Sequence, residues 1–184
     1  MRRVLALGGA AIALSVAAAG CGGSDDGSDS EQDPTAAWAS DFCSAVTTWT
    51  DDLQGVTSQF TDTSNLSEEG VQSAADDVKN STQTLVDDLR GLGAPPTDSG
   101  DAVKTSLDDL STTLEDESTS IQETAQGISG LTGIATAISS ISTSLATMAT
   151  SFSEALTTIQ DADAKGELQG ALQDSPECAD ISNS

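Results

Sequence analysis

Thirty carboxylates, three thiols and no imidazole set the chemistry open to this chain. Without His there is no Ser-His-Asp or Cys-His relay, no imidazole acid or base, and no His-bearing zinc site. Carboxylate pairs can act alone, as in glycosidases, when a cleft holds one of the two protonated. The pairs here, Asp51-Asp52, Asp76-Asp77, Asp87-Asp88 and Asp108-Asp109, recur beside apolar stripes rather than on them, so solvated helix faces are expected. No Gly-rich strand-to-helix phosphate loop occurs. The reading is therefore of a protein that is not an enzyme, with no catalytic residues, no cofactor and no metal site.

Two features invite a ligand. Asp161-Ala162-Asp163-Ala164-Lys165-Gly166 reproduces positions 1, 3 and 6 of an EF-hand loop. Lys165 then stands where an oxygen ligand belongs and Leu172 where the bidentate glutamate belongs, so a helix-breaking turn is expected instead. Trp38 and Trp49 are three helical turns apart and nearly share a face. With Phe152 they could line a cavity between helices, although core packing is the commoner use of such residues.

The thiols Cys21, Cys43 and Cys178 lack Cys-x-x-Cys spacing and any neighbouring His or base to lower a thiol pKa, which argues against redox chemistry. Cys21 sits at the exit of a distinctive segment: Arg2 and Arg3, an apolar run from Val4 to Ala19, then Ala18-Ala19-Gly20 directly before the cysteine. The run is slightly short for a bilayer span of about 20 residues and is followed by a polar, acidic tract, which reads as a signal peptide rather than a retained anchor.

In these residues the chain resembles bacterial lipoproteins, in which small residues precede a cysteine that receives diacylglycerol and becomes the mature N-terminus. The resemblance covers the first 21 residues only. It implies cleavage between Gly20 and Cys21, lipid on Cys21, and attachment to the cell membrane on its extracytoplasmic face, held by acyl chains at about 0.8 kcal/mol per buried methylene. Ala18 stands where Leu is usual, which leaves ordinary signal-peptidase cleavage after an alanine open. The composition, poor in Lys and rich in Ala, Gly, Asp and Thr, is similar to that of actinobacterial lipoproteins. If lipid consumes Cys21, Cys43 and Cys178 are the only pair left to oxidise in an exported chain. In the loop-entropy account such a long-range bridge is worth roughly 5 kcal/mol.

Charge narrows the partners further. The formal net charge is -24, and loss of Arg2 and Arg3 would leave Lys79, Arg90, Lys104 and Lys165 against 30 acids. Four scattered bases form no phosphate-binding patch, so nucleic acid is excluded as a partner, as is electrostatic adhesion to anionic lipid. The surplus keeps a crowded surface protein soluble and separate from its neighbours.

The elements that position these residues follow from periodicity. Residues 1–20 are read as signal peptide and 21–35 as a lipidated, flexible acidic linker with nothing apolar to bury. Its Asp25, Asp26, Asp29, Glu31 and Asp33 match no calcium-loop spacing. Residues 36–184 are read as one helical domain.

Apolar positions step by three and four through Ala39, Phe42, Val46, Trp49, Leu53, Val56 and Phe60, then through Val71, Ala75, Val78, Thr82, Leu85, Leu89 and Leu92. Ser67 is a candidate cap for the second run, with Glu68 and Glu69 in its first turn and Gly93 and Pro95-Pro96 as its stop. A third run, Val103, Leu107, Leu110, Leu114, Ile121 and Ile128, is weakened where Glu117 and Thr124 fall on the stripe. Gly127, Gly130 and Gly133 mark a turn before the fourth and most apolar run, Ile134, Ile138, Ile141, Leu145, Met148, Phe152, Leu156 and Ile159. Leu168 and Leu172 extend it past a break near Gly166.

Four narrow stripes on long helices with short connections predict an all-α, antiparallel up-down-up-down four-helix bundle. In that topology Cys43 and Cys178 meet at one end. The functional expectation is a membrane-tethered interaction or spacer module facing an unknown envelope protein or ligand. A binder of a small apolar ligand or of calcium is the alternative.

Overall fold

Asp33 opens the first helix in the computed structural model, which describes residues 33–59 and 67–179. The leader, Gly20, Cys21 and the linker as far as Gln32 lie outside the described residues. The Asp33 carboxylate accepts the Thr35 backbone N–H at 3.0 Å. Pro34 fills the first helical position, where its missing N–H costs nothing. Helix α1 therefore spans Pro34–Gln59 and begins inside the stretch read as linker.

The remaining elements are also helical: α2 Glu68–Leu92, α3 Gly100–Gln126, α4 Gly130–Ala162, α5 Glu167–Asp174 and a closing 3-10 turn at Pro176–Cys178. Ser67 caps α2 as its type and position require, its hydroxyl accepting the Gly70 N–H at 3.0 Å. The helix stops at Gly93, whose φ of 66° suits a residue without a Cβ. Ser and Thr are frequent within the helices, and many hydroxyls settle on the preceding turn, as Thr50 does on the Val46 carbonyl and Thr143 on that of Ser139. The Ser-rich tract from Ser139 to Ser144 consequently runs as unbroken helix within α4.

Each long helix packs on the next: α1 on α2, α2 on α3, α3 on α4. On the α2–α3 face Arg90 pairs with Glu115, Asp76 with Gln122 and Gln72 with the Ala125 carbonyl. Numbers fall on one helix as they rise on the other, so these two run in opposite directions. The core between them holds Val71, Val78, Leu85, Leu107, Leu114 and Ile121, all essentially fully buried. Around Glu117 and Thr124 the buried positions become Ser118, Ile121 and Ala125, which carries the stripe past the two polar residues.

Helix α4 differs from its neighbours. By length and composition it is long and apolar enough to cross a membrane, yet only 28% of its most apolar stretch is buried. The row Ile134, Ile141, Met148 and Ala155 is buried, whereas Ile138, Leu145 and Phe152, one heptad apart, are only half-buried. The α1 and α4 backbones hardly approach one another, and α5 and the 3-10 turn lie against α1 instead. The continuation past Gly166 is thus a separate short helix folded back on α1.

One glycine is fixed by crowding. A Cβ on Gly100 would stand 2.2 Å from the Pro95 carbonyl oxygen, where the chain doubles back into α3. Gly100→Ala is expected to destabilise by about 1–3 kcal/mol, because backbone must move to admit the methyl. At Gly91 in α2 a Cβ meets nothing within 4 Å, so Gly91→Ala is expected to stabilise by about 0.5–1 kcal/mol. Paired urea titrations check both signs; equal effects at the two positions would remove the crowding argument.

A half-open apolar cleft beside an aromatic cluster

The three aromatic residues singled out by sequence come together through a fourth. Trp38 stacks on Phe42 at 5.4 Å between centroids, Phe42 lies 6.5 Å from Phe152, and Trp49 lies 6.3 Å from Phe152. Both tryptophans are buried, and each indole N–H has an acceptor. Trp38 donates to the Gly93 carbonyl and Trp49 to the Thr82 hydroxyl, both at 3.2 Å. These rings reach across the gap between α1 and α4, where the two backbones hardly approach. The cluster is filled by its own members.

The open space lies one turn away. A cleft of about 240 Å³ sits between α1, α4 and α5, walled by Phe42, Leu156, Ile159 and Leu172 and floored by Cys43 and Cys178. Gln160, Asp163, Gln169 and Gln173 form its mouth. Trp38, Trp49 and Phe152 are not among its walls; Trp38 borders a shallow groove between α1 and α2 with Asp41, Asp87 and Asp88. Sequence periodicity had marked Leu156, Ile159 and Leu172 as apolar without showing that they face one another, because the return of α5 depends on the turn geometry at Gly166.

Cys43 and Cys178 are joined as a disulfide, with Cα atoms 5.0 Å apart and 135 positions between them in sequence. Thr47 adds a hydroxyl contact of 3.4 Å to the Glu177 carbonyl. The bridge thereby clasps the chain's last described turn to the first turns of α1.

The EF-hand-like segment is a turn between helices. Helix α4 ends at Ala162, Gly166 takes φ 71°, and the Asp163 carboxylate accepts the Gln169 N–H at 2.8 Å, capping α5. Lys165 reaches across to Asp98. Among the described residues no three His, Cys, Asp or Glu side chains converge as a metal site would require.

The four bases expected to be scattered are engaged separately. Arg90 grips Glu115 with two hydrogen bonds of 2.7 and 2.8 Å, Lys104 pairs with Asp108 at 2.6 Å, Lys79 donates to Gln122, and Lys165 to Asp98. The hydrogen bond from Arg90 holds the Glu115 carboxyl below its ordinary range, and that from Lys165 does the same for Asp98. The Ser175 hydroxyl lowers Glu177. A general acid working near neutrality needs a carboxyl moved upward. The acidic pairs lie outward as expected, with Asp51, Asp52, Asp76, Asp77, Asp87, Asp88 and Asp109 exposed.

Against this acidic surface one stretch is neutral. From Thr124 to Ser153 no residue carries a charge, and Thr136, Ser139, Ser140, Thr143 and Thr150 are exposed along α4. No family model, curated protein or solved structure matches the chain.

Proposed function

We propose that the protein is a lipoprotein anchored through Cys21 to the extracytoplasmic face of a cell membrane, where it works as a non-enzymatic interaction or spacer module. The observation that carries this reading is the pairing of Cys43 with Cys178. Of three cysteines, that pair leaves over the one preceded by Ala18-Ala19-Gly20. A stable disulfide fits an oxidising, exported setting.

Further support comes from the directions of the helices. Trp38 meets Gly93 and Trp49 meets Thr82, as antiparallel α1 and α2 would place them. Glu68 at the start of α2 accepts the Gly130 N–H at the start of α4, and Lys165 beyond α4 reaches Asp98 before α3. We read these pairings as an up-down-up-down four-helix bundle with α5 as a clasp. The uncharged length of α4 is then the side on which an acidic neighbour in the envelope meets least repulsion. No nucleic-acid role is proposed, since each base is already engaged on its own patch.

Intact mass of the protein recovered from its native membrane tests the anchor. The expected species starts at Cys21, carries acyl chains, and takes up two alkyl groups only after reduction. A non-acylated species starting elsewhere would overturn the lipoprotein reading. In parallel, Cys21→Ser is expected to move the protein from the detergent phase to the aqueous phase on phase separation.

A further inference from the structure

The cleft between α1, α4 and α5 has features of a preformed site rather than a packing gap. Phe42 and Trp49 of α1 meet Phe152 of α4 at 6.5 and 6.3 Å between centroids, which sets the spacing of its two long walls. Its third wall, α5, is capped by Asp163 at its start and followed by the 3-10 turn whose Cys178 is bridged to Cys43 of α1. These constraints oppose closure of the cleft, as a preformed site requires.

The lining then selects the chemistry. The interior is mainly apolar; at about 30 Å³ per water-sized group, 240 Å³ takes a chain of about eight such groups. The mouth carries three carboxamides, on Gln160, Gln169 and Gln173, each able to donate and accept. An anionic head is opposed by Asp163 at the mouth and by the formal charge of -24. A cationic head is drawn by the same charges, but at this half-open mouth that attraction is screened by salt, whereas a hydroxyl or amide is matched directly by the three carboxamides.

We propose that this cleft binds a neutral single-chain amphiphile, its alkyl tail against Phe42, Leu156, Ile159 and Leu172 and its hydroxyl or amide head among Gln160, Gln169 and Gln173. The inference stands apart from the anchor at Cys21 and holds for the folded body by itself.

The test compares three probes that share one tail: 1-octanol, octanoate and octylammonium. Each is titrated into the oxidised protein while backbone amide shifts are followed by NMR. Octanol is expected to bind at one saturable site, shifting Phe42, Ile159 and Leu172, at least about tenfold more tightly than octanoate. Leu172→Trp, which fills the cleft, is expected to weaken octanol at least about tenfold while the melting transition stays cooperative. Gln160→Leu with Gln173→Leu covers the case in which the tryptophan variant does not fold, and should remove octanol's advantage over octylammonium, which the carboxamides supply, while octanoate stays disfavoured by Asp163 and the net charge.

Absence of saturable octanol binding would overturn the proposal, as would binding unaffected by Leu172→Trp. Octylammonium binding more tightly than octanol at high salt would replace the neutral head with a cationic one. Octanol binding that appears only after deletion of residues 180–184 would assign the cleft to the chain's own tail.

Discussion

Replacing Cys43 and Cys178 together by alanine is expected to lower the melting temperature by roughly 10–20 °C, the largest single effect among the changes considered. The residues are 135 positions apart, so the bridge removes a large closure entropy from the unfolded chain, worth about 5 kcal/mol. For a domain of this size each kcal/mol corresponds to about 2–4 °C. The native side of the balance adds to the effect. Helix α5 and the 3-10 turn pack on α1 and on each other, and the bridge is the covalent part of that fastening. Alanine is the right replacement because both sulfurs are buried and serine would leave hydroxyls to satisfy. Thermal melts of the double variant and of the oxidised parent decide the matter. A shift under about 3 °C would mean that α5 holds without its bridge and that the unfolded chain is already compact.

The second large effect belongs to Phe42→Ala, expected to destabilise by about 3–5 kcal/mol. Phe42 is 2% exposed, stacks on Trp38 and faces Phe152, so its ring connects α1 to α4 where the backbones do not. Truncation removes a large buried area and joins the cluster to the neighbouring cleft, leaving a cavity the separated helices cannot close. Phe42→Leu keeps most of the volume and is expected to cost about 1.5 kcal/mol or less. Urea unfolding followed by tryptophan emission reads both stability and the environment of Trp38. A loss below about 1 kcal/mol for the alanine variant would show that α1 and α4 close on each other directly. Because Phe42 adjoins Cys43, its effect and that of the bridge are not expected to add.

Sequence carried what local chemistry decides. Helix α2 was legible almost to the residue because Ser67, Glu68 and Gly93 are punctuation that acts through backbone hydrogen bonds and φ alone. The helical character of α4 was legible from its stepping, despite its hydroxyls. What periodicity does not contain is the identity of the facing element. Ile138, Leu145 and Phe152 read like Ile134, Ile141 and Met148, yet one row is buried and the other opens on the gap beside α1. Glu117 and Thr124 marked a weak point, but the use of Ser118 and Ala125 in their place is a small rotation of the helix set by its neighbours.

The cleft was illegible for the same reason. Leu156 and Leu172 were both visible as apolar, and Gly166 as a break. The direction in which α5 leaves that break depends on Asp163 capping it and on Cys178 reaching Cys43. The tryptophans, conspicuous by size, turned out to be spoken for by Gly93 and Thr82, while the less conspicuous Phe42 forms part of both the cluster and the cleft.

The bridge also decides where tension travels. A pull along the chain, applied at Asp33 and resisted at Ala179, runs through α1 from Pro34 to Cys43, across the two sulfurs and out at Cys178. Helices α2, α3 and α4 lie off that line entirely. A load carried between these two ends can unwind the first turns of α1, but it bypasses the core, which keeps its packing while the covalent clasp bears the strain.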